Sequence, residues 1–428
     1  MKVTKGHLLV GAGALALTQT LSLWAPDSFG GPAYAATAAQ AAPDESEGGE
    51  GGEGGGENGG APSSYALNAT DPGKWAYDAA PEIDAYVKGV AAQYGQAASE
   101  GKTLAAAIDA LLSDPSPATL AGARQAWTSA RPAYLKTEAF RFYDGPIEAV
   151  EGEINAWPMN EAYIDYTVDA PQGGIVNDPA AGVDAATLAG MNQKADEADV
   201  TTGWHAIEFL LWGQDLSAAG PGDRPYTDYL PGTPATDKRR AYLKAVTQLL
   251  VTDLDGLAAA WNTADSGPYA AGFRALPTRE AVGRILNGIA ILTGHELRSE
   301  RMAVALDSGD QEDEHSCFSD TTHQDFVYDF AGIEAVYHGR YGNEDGPGLD
   351  GLIRRLDPAQ ADRIDGLMTD AAAKIAALGD PWDQVLAAPP DSSSRVAAEA
   401  AVQALGDLAT ELKAAGRTLG VLVQVPGF

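Results

Sequence analysis

The chain has 428 residues, long enough for two domains with separate cores, and its 60 acidic against 28 basic side chains give a formal net charge of −32. Such a surface argues against nucleic-acid phosphates and anionic lipid as partners and attracts cations, although most surface charge of this kind serves only solvation. The single cysteine, Cys317, excludes an internal disulfide, so packing must hold the fold; in His315-Ser316-Cys317-Phe318 it reads as a small buried hydrophobe or, alternatively, a reactive thiol.

The start of the chain reads as an export signal, residues 1–35. Lys2 and Lys5 are basic, an apolar run follows from Leu8 to about Ala25, and Ala33-Tyr34-Ala35 fits a cleavage site. An uncleaved anchor is the alternative, but Thr18, Gln19 and Thr20 interrupt the run, and no cysteine follows it to carry a lipid. An exported protein, periplasmic or attached to the cell envelope or extracellular, is therefore expected, with no transmembrane domain in the mature chain. Residues 36–70 are rich in Gly and Glu, with too little apolar surface to offset the ordering entropy, and read as a disordered acidic linker.

Folded sequence is expected from about residue 71. Pro81-Glu82-Ile83 opens a helix carrying Ile83, Val87, Val90 and Tyr94, and a second segment carries Leu104, Ile108 and Leu111 up to the break at Asp114-Pro115-Ser116-Pro117. A third runs from Leu120 through Trp127 to Tyr134, with a bend expected at Pro132 and continuation to Glu138 and Phe142. Residues 144–200, dense in Gly, Pro, Asn and Asp, read as a long insertion of short elements, of the kind that carries sites. The helix of His205 follows and is expected to stop at Pro221-Gly222-Asp223-Arg224-Pro225, with a polar linker to Asp237. Beyond it, Leu243, Val246, Leu250, Leu254, Leu257 and Trp261 step by three or four. Further helices are expected after Pro277 (Val282, Ile285, Ile289, Leu292), after Asp357-Pro358 (Ile364, Leu367, Ala371, Ile375), and around Val396, Val402, Leu405, Leu408 and Leu412. No stretch alternates with period two, so the fold class is all-α.

The chemistry concentrates in Gly203-Trp204-His205-Ala206-Ile207-Glu208. His205 and Glu208, three apart, share one face of an otherwise apolar helix. Burying both is costly without a partner. A metal ion is one partner, since di-iron bundles use a Glu/His pair at this spacing, and a His–Glu hydrogen bond in a satisfied core is the other. The two halves of the chain also align: Ile207-Glu208-Phe209-Leu210-Leu211-Trp212-Gly213 against Ile333-Glu334-Ala335-Val336-Tyr337-His338-Gly339, with His205 opposite Ala331. The reading is two tandem helical-bundle halves, 71–235 and 236–428, related by internal duplication, with the imidazole in the first only.

Four blocks together resemble the imelysin family. They are Gly203-x-His205-x-x-Glu208 running into Phe209-Leu210-Leu211-Trp212-Gly213-Gln214-Asp215; Thr137-Glu138-Ala139-Phe140-Arg141-Phe142-Tyr143; Glu151-Gly152-Glu153-Ile154-Asn155-Ala156-Trp157-Pro158; and Gln311-Glu312-Asp313-Glu314-His315-Ser316-Cys317-Phe318-Ser319-Asp320. The last three are similar to its iron-regulated branch, and the likeness runs from about Trp75 to the C-terminus. It implies an extracytoplasmic, all-helical protein with two bundle-like halves, in a family first described as His-x-x-Glu metallopeptidases and often linked to iron acquisition.

The expected metal ligands are His205 and Glu208, the two most directly supported by the resemblance, with Glu138 from an adjacent helix. Arg131 would orient Glu138, bind an anion, or make a plain salt bridge. Arg131, Glu300, His315 and Asp320 are expected to line the cleft. An N/O donor set suits a divalent or trivalent ion, iron first and zinc second. A zinc peptidase generally needs a third protein ligand, an open water position and a base, and no residue is labelled as that base. Metal binding with a contribution to iron acquisition, through an envelope iron-transport system, is therefore preferred. A His-x-x-Glu peptidase and a structural bundle with a vestigial pocket are the alternatives.

Overall fold

The structure, a computed structural model, describes residues 75–217, 220–263, 267–379 and 381–428. The expected leader and acidic linker lie outside the described residues. The fold is all-α, as the absence of period-two alternation predicts. Among the described residues no helix is long and apolar enough to cross a membrane.

Helix α1 (Ala80–Ser113) joins the two segments expected separately, and Ile83, Val87, Val90, Tyr94, Leu104, Ile108 and Leu111 line one buried stripe. Gly95 and Gly101 are too weak to break it. Gly101 instead permits close packing, since a Cβ there would stand 3.0 Å from Leu254. Helix α2 (Pro117–Leu135) starts in a Ser116/Thr119 capping box and holds Pro132 internally. Past that proline the chain tightens into a 3-10 turn, Lys136–Phe140, which carries Glu138. Three short helices follow, Glu151–Ile154, Glu161–Ile164 and Ala185–Met191.

Helix α3 (Gly203–Trp212) is buried along its whole length. It stops at Gly213, at φ +73°, well before the proline-rich stretch expected to end it. Helix α4 (Pro234–Ala260) begins in a Thr233/Thr236 capping box, three residues before the expected end of the linker. Helix α5 (Thr278–Ile291) runs straight into a π-helix, Leu292–Ala303, which periodicity did not reveal. Helices α6 (Thr322–His338), α7 (Pro358–Ala376) and α8 (Ser393–Leu419) complete the set of longer helices.

Helix α1 packs along α2 and α4, and α3 lies against both of these. Helix α8 packs along α7, α5 and the π-helix. Helix α6 connects the groups, touching α2, the Lys136–Phe140 turn, the π-helix and α7. Buried apolar side chains form one continuous core. The ends of α2, α3 and α6 and the π-helix converge in it, and there the polar side chains gather.

Candidate functional site

Gly203 explains the spacing of Gly-x-His-x-x-Glu. Its φ is +84°, and a Cβ at that position would stand 2.3 Å from the carbonyl oxygen of Ile154. Only glycine lets the first turn of α3 close against that chain. The turn then places His205 and Glu208 on one face, where Glu208 Oε2 lies 2.9 Å from His205 Nδ1. The other carboxylate oxygen accepts from the Ser319 amide at 3.0 Å and the Ser319 hydroxyl at 2.6 Å. Burial pushes the Glu208 carboxyl up to about 8, against the pull of the Ser319 bonds and Arg131.

His315 meets His205 ring to ring, with centroids 4.6 Å apart and the two Nε2 atoms 3.3 Å apart. Its Nδ1 lies 2.6 Å from Asp325 Oδ2, which also accepts from Ser316 Oγ at 2.7 Å. Burial, with the charges of Arg131 and Arg301, pushes both imidazoles well below their ordinary range, so both rings are neutral at pH 7. Each Nδ1 is thus held by a buried carboxylate, and each Nε2 points at the other. When the Nδ1 atoms carry the protons, the two Nε2 lone pairs converge.

Arginines surround this pair. Arg131, expected as a cleft residue, stands behind it, with Nη1 donating to Asn155 Oδ1 at 2.6 Å and Nη2 lying 3.1 Å from His205 Nε2 and 3.3 Å from Asp325. Its guanidinium is stacked among Trp127, Tyr134 and Trp204. Arg301 binds Glu138 at 2.8 Å, Glu296 at 3.0 Å and Asp329 at 3.0 Å, and lies 3.3 Å from His315 Nδ1. Glu296 and Arg301 are five apart, and the wide π turn is what sets them on one face.

Glu138 does not join His205 and Glu208 in a common group of ligand atoms. Its Oε2 is taken by Arg141 at 2.5 Å as well as by Arg301. Burial would raise this carboxyl, yet the two guanidiniums hold it below its ordinary value. Its bearing on the centre is therefore indirect, through Arg301. Glu300 is exposed on the rim, 3.7 Å from His295. Asp320 is off this centre altogether, grouped with Asp215 and Asp383.

A cavity of about 310 Å³ adjoins the centre, lined by Arg141, Glu151, Asn155, Trp157, Glu296, Glu300, Arg301 and His315 among others. His205 lies behind His315 and Trp157, whose ring is 4.9 Å from its own, and is fully buried. Sequence reasoning gave no site role to Asp325, Asp329, Glu296, Arg301 or Trp157, although Trp157 stands in one of the blocks that carry the family likeness. A signal existed for two of them: Asp325 and Asp329, four apart and interleaved with Phe326 and Phe330, mark an acidic stripe on a buried helix face.

Comparison with known proteins agrees with this fold. The imelysin family model matches residues 90–412. Iron-regulated protein A of Synechococcus elongatus is 25% identical over 330 residues, covering 74% of this chain and 81% of that protein. Two crystal structures share the fold. A putative iron-regulated protein A precursor from Parabacteroides distasonis has a TM-score of 0.63 at 18% identity, covering 79% of this chain and 94% of its own. An imelysin-like protein from Psychrobacter arcticum has a TM-score of 0.56 at 15% identity, covering 84% and 99%. With the match extending over most of its length, this chain belongs to the imelysin family.

Proposed function

We propose that this chain binds iron, and that His205 and His315 grip the ion through Nε2. The observation that carries the reading is the pair of facing Nε2 atoms, 3.3 Å apart, with each Nδ1 fastened to a buried carboxylate. Two nitrogens on a tetrahedral ion, at bonds of about 2.1 Å, stand roughly 3.4 Å apart. A carboxylate behind each ring is also how metal-binding histidines are commonly oriented and made more basic. Glu208 then supports His205 rather than binding directly, and Asp325 does the same for His315.

The donor chemistry admits iron or zinc, and the names of the similar proteins favour iron. Arg131 Nη2, at 3.1 Å, occupies the lone pair of His205 that the ion would need, so entry has to displace that contact. Glu151, Glu296, Glu300 and Asp313 outnumber Arg141 and Arg301 in the lining of the cavity, a balance that favours a cation on its way in. Two protein nitrogens leave coordination positions for ligands that arrive with the ion. Together with the leader sequence, this fits an exported protein that hands iron to an envelope transport system. We also keep the view that the chain is a duplicated pair of halves, with the imidazole retained in one. Peptide cleavage is less well supported, because the carboxylates beside both rings are already engaged at Nδ1 and neither is left as a base.

Calorimetry with Fe(II) under anaerobic conditions, and with Zn(II), tests this. The wild type is expected to bind, and His205→Ala or His315→Ala to weaken binding by more than roughly tenfold. No heat with the wild type, or equal affinity in both variants, removes the proposal. Chelator-sensitive peptide hydrolysis that Glu208→Gln abolishes would favour the peptidase instead.

A further inference from the structure

The block 151–158 carries part of the family likeness, yet the iron-binding reading gives it no direct role. It forms one wall of the 310 Å³ cavity, through Glu151, Asn155, Trp157 and Pro158 among others. Asn155 is 3% exposed. Its Oδ1 accepts from Arg131 Nη1 at 2.6 Å, which fixes the orientation of the amide. Its Nδ2 is buried and has no hydrogen-bond partner. The indole Nε1 of Trp157 is buried and unpartnered in the same way, while the ring packs on His205 and Phe318. The arginines of the wall are committed elsewhere, Arg141 to Glu138 and Glu151, and Arg301 to Glu138, Glu296 and Asp329. Two neutral N–H groups therefore border a cavity that His315 also lines. Buried donors are seldom left unpaired, and two of them on one cavity wall suit a ligand with acceptor oxygens.

We propose that Asn155 Nδ2 and Trp157 Nε1 receive a small oxygen chelator that enters with the iron, of the class of singly charged α-hydroxycarboxylates. This deepens the iron-binding reading and rests on it. The cavity is at the lower end of ligand pockets, which run from about 300 to 1,000 Å³, so it suits a small chelator rather than a large multidentate one. Neutral donors recognise an acceptor oxygen without requiring a net charge. The acids of the wall outnumber its arginines and repel a free polyanion. A chelator with one carboxylate is admitted because the iron it carries leaves the complex positive. Its hydroxyl and one carboxylate oxygen fill neighbouring positions on the ion, and the second carboxylate oxygen accepts from the two N–H groups. A single guanidinium, that of Arg131, joins Asn155 to His205 Nε2, which sets this subsite next to the imidazole pair. Ion and chelator then strengthen each other's binding by the same factor.

The test titrates the full chain with Fe(II) by anaerobic calorimetry, in glycolate and in chloride of equal ionic strength. Glycolate is expected to raise the affinity roughly tenfold, as one hydrogen bond to a charged group supplies, and to give no heat with the iron-free protein. Citrate is expected to lower it, by keeping the ion outside. Asn155→Asp keeps the oxygen that Arg131 uses and exchanges only the free N–H2 for an acceptor. Trp157→Phe keeps the ring on His205 and removes only the N–H. Both variants are expected to bind Fe(II) in chloride no more weakly than the wild type and to lose the gain from glycolate. Should both fail to fold, 15N NMR of the wild type loaded with Zn(II) decides, since two buried side-chain N–H signals, one indole and one amide, are expected to move when glycolate is added. Fe(II) binding in chloride with no gain from glycolate, a gain that survives in both variants, or N–H signals that stay fixed would overturn this proposal and leave the iron-binding reading standing. No Fe(II) binding in either buffer would overturn both.

Discussion

At His205 the decisive question is which ring nitrogen carries the proton. Arg131 Nη2 can only donate and lies 3.1 Å from Nε2, so Nε2 keeps its lone pair and Nδ1 carries the proton, donating to Glu208 Oε2. Burial raises the Glu208 carboxyl to about 8, so at pH 7 it still holds a proton of its own. Iron on Nε2 favours an ionised Glu208 behind the ring. Below about pH 8, binding should therefore release a proton, and affinity should climb with pH and level off above that value. Calorimetry in buffers of different ionisation enthalpy measures the proton directly, and a pH-independent affinity between 6 and 9 contradicts the scheme. Glu208→Gln keeps the shape, but its Ser319-bound oxygen turns the amide N–H2 toward Nδ1. That holds Nε2 protonated at every pH, so the variant is expected to fold normally and to lose most of its affinity.

Among the elements, α3 and the π-helix carry the most consequence. Helix α3 is short and wholly buried, so its placement rests on the first turn. Gly203→Ala forces a Cβ against the Ile154 carbonyl and places alanine at φ +84°. Backbone strain of this kind costs about 1–3 kcal/mol, and the contact adds to it. Loss of roughly 3 kcal/mol in urea unfolding, together with lost metal binding, is expected. An unchanged midpoint would mean that the turn is not rigid. The π-helix has a different role. Its wide turn puts Glu296 and Arg301 on one face, and through Arg301 it links Glu138, Asp329 and the neighbourhood of His315. Buried pairs of this kind contribute little net stability, since desolvation offsets attraction. Their value here is to hold charge in fixed positions around two neutral rings.

Across the whole molecule, several carboxyls are held protonated by burial. Glu161 and Asp253 rise to about 7, Glu208 to about 8 and Glu314 to about 9. Each retains its proton in the folded chain over a window where the unfolded chain has already ionised. The stabilisation is complete below the ordinary carboxylate range and is lost as pH rises toward these raised values. Self-repulsion from a net charge of −32 has the same sign, because it eases as acids are protonated. Thermal midpoints in metal-free buffer are therefore expected to be higher near pH 5.5 than near pH 8.5. A midpoint that climbs over this range would show that the two buried neutral imidazoles, His205 and His315, which the unfolded chain protonates below about pH 6.5, dominate instead.

Apolar residues stepping by three and four and the proline breaks around them act within a turn or two of chain, although the Gly213 stop, equally local, was read too late at Pro221. The sequence by itself therefore determined the all-α class, most of the helices and the prominence of His205 and Glu208. Where local signals conflicted, tertiary packing prevailed: α1 runs through Gly101 because α4 lies against it, and Glu138 answers to Arg141 and Arg301 rather than to His205. The partners of the two histidine rings were decided only in three dimensions. Asp325 lies 120 positions beyond His205 in sequence, and a π turn has no apolar period by which to be read. Which acid neutralises which base depends on distances across the core, and those arise only when helices remote in sequence close on one another.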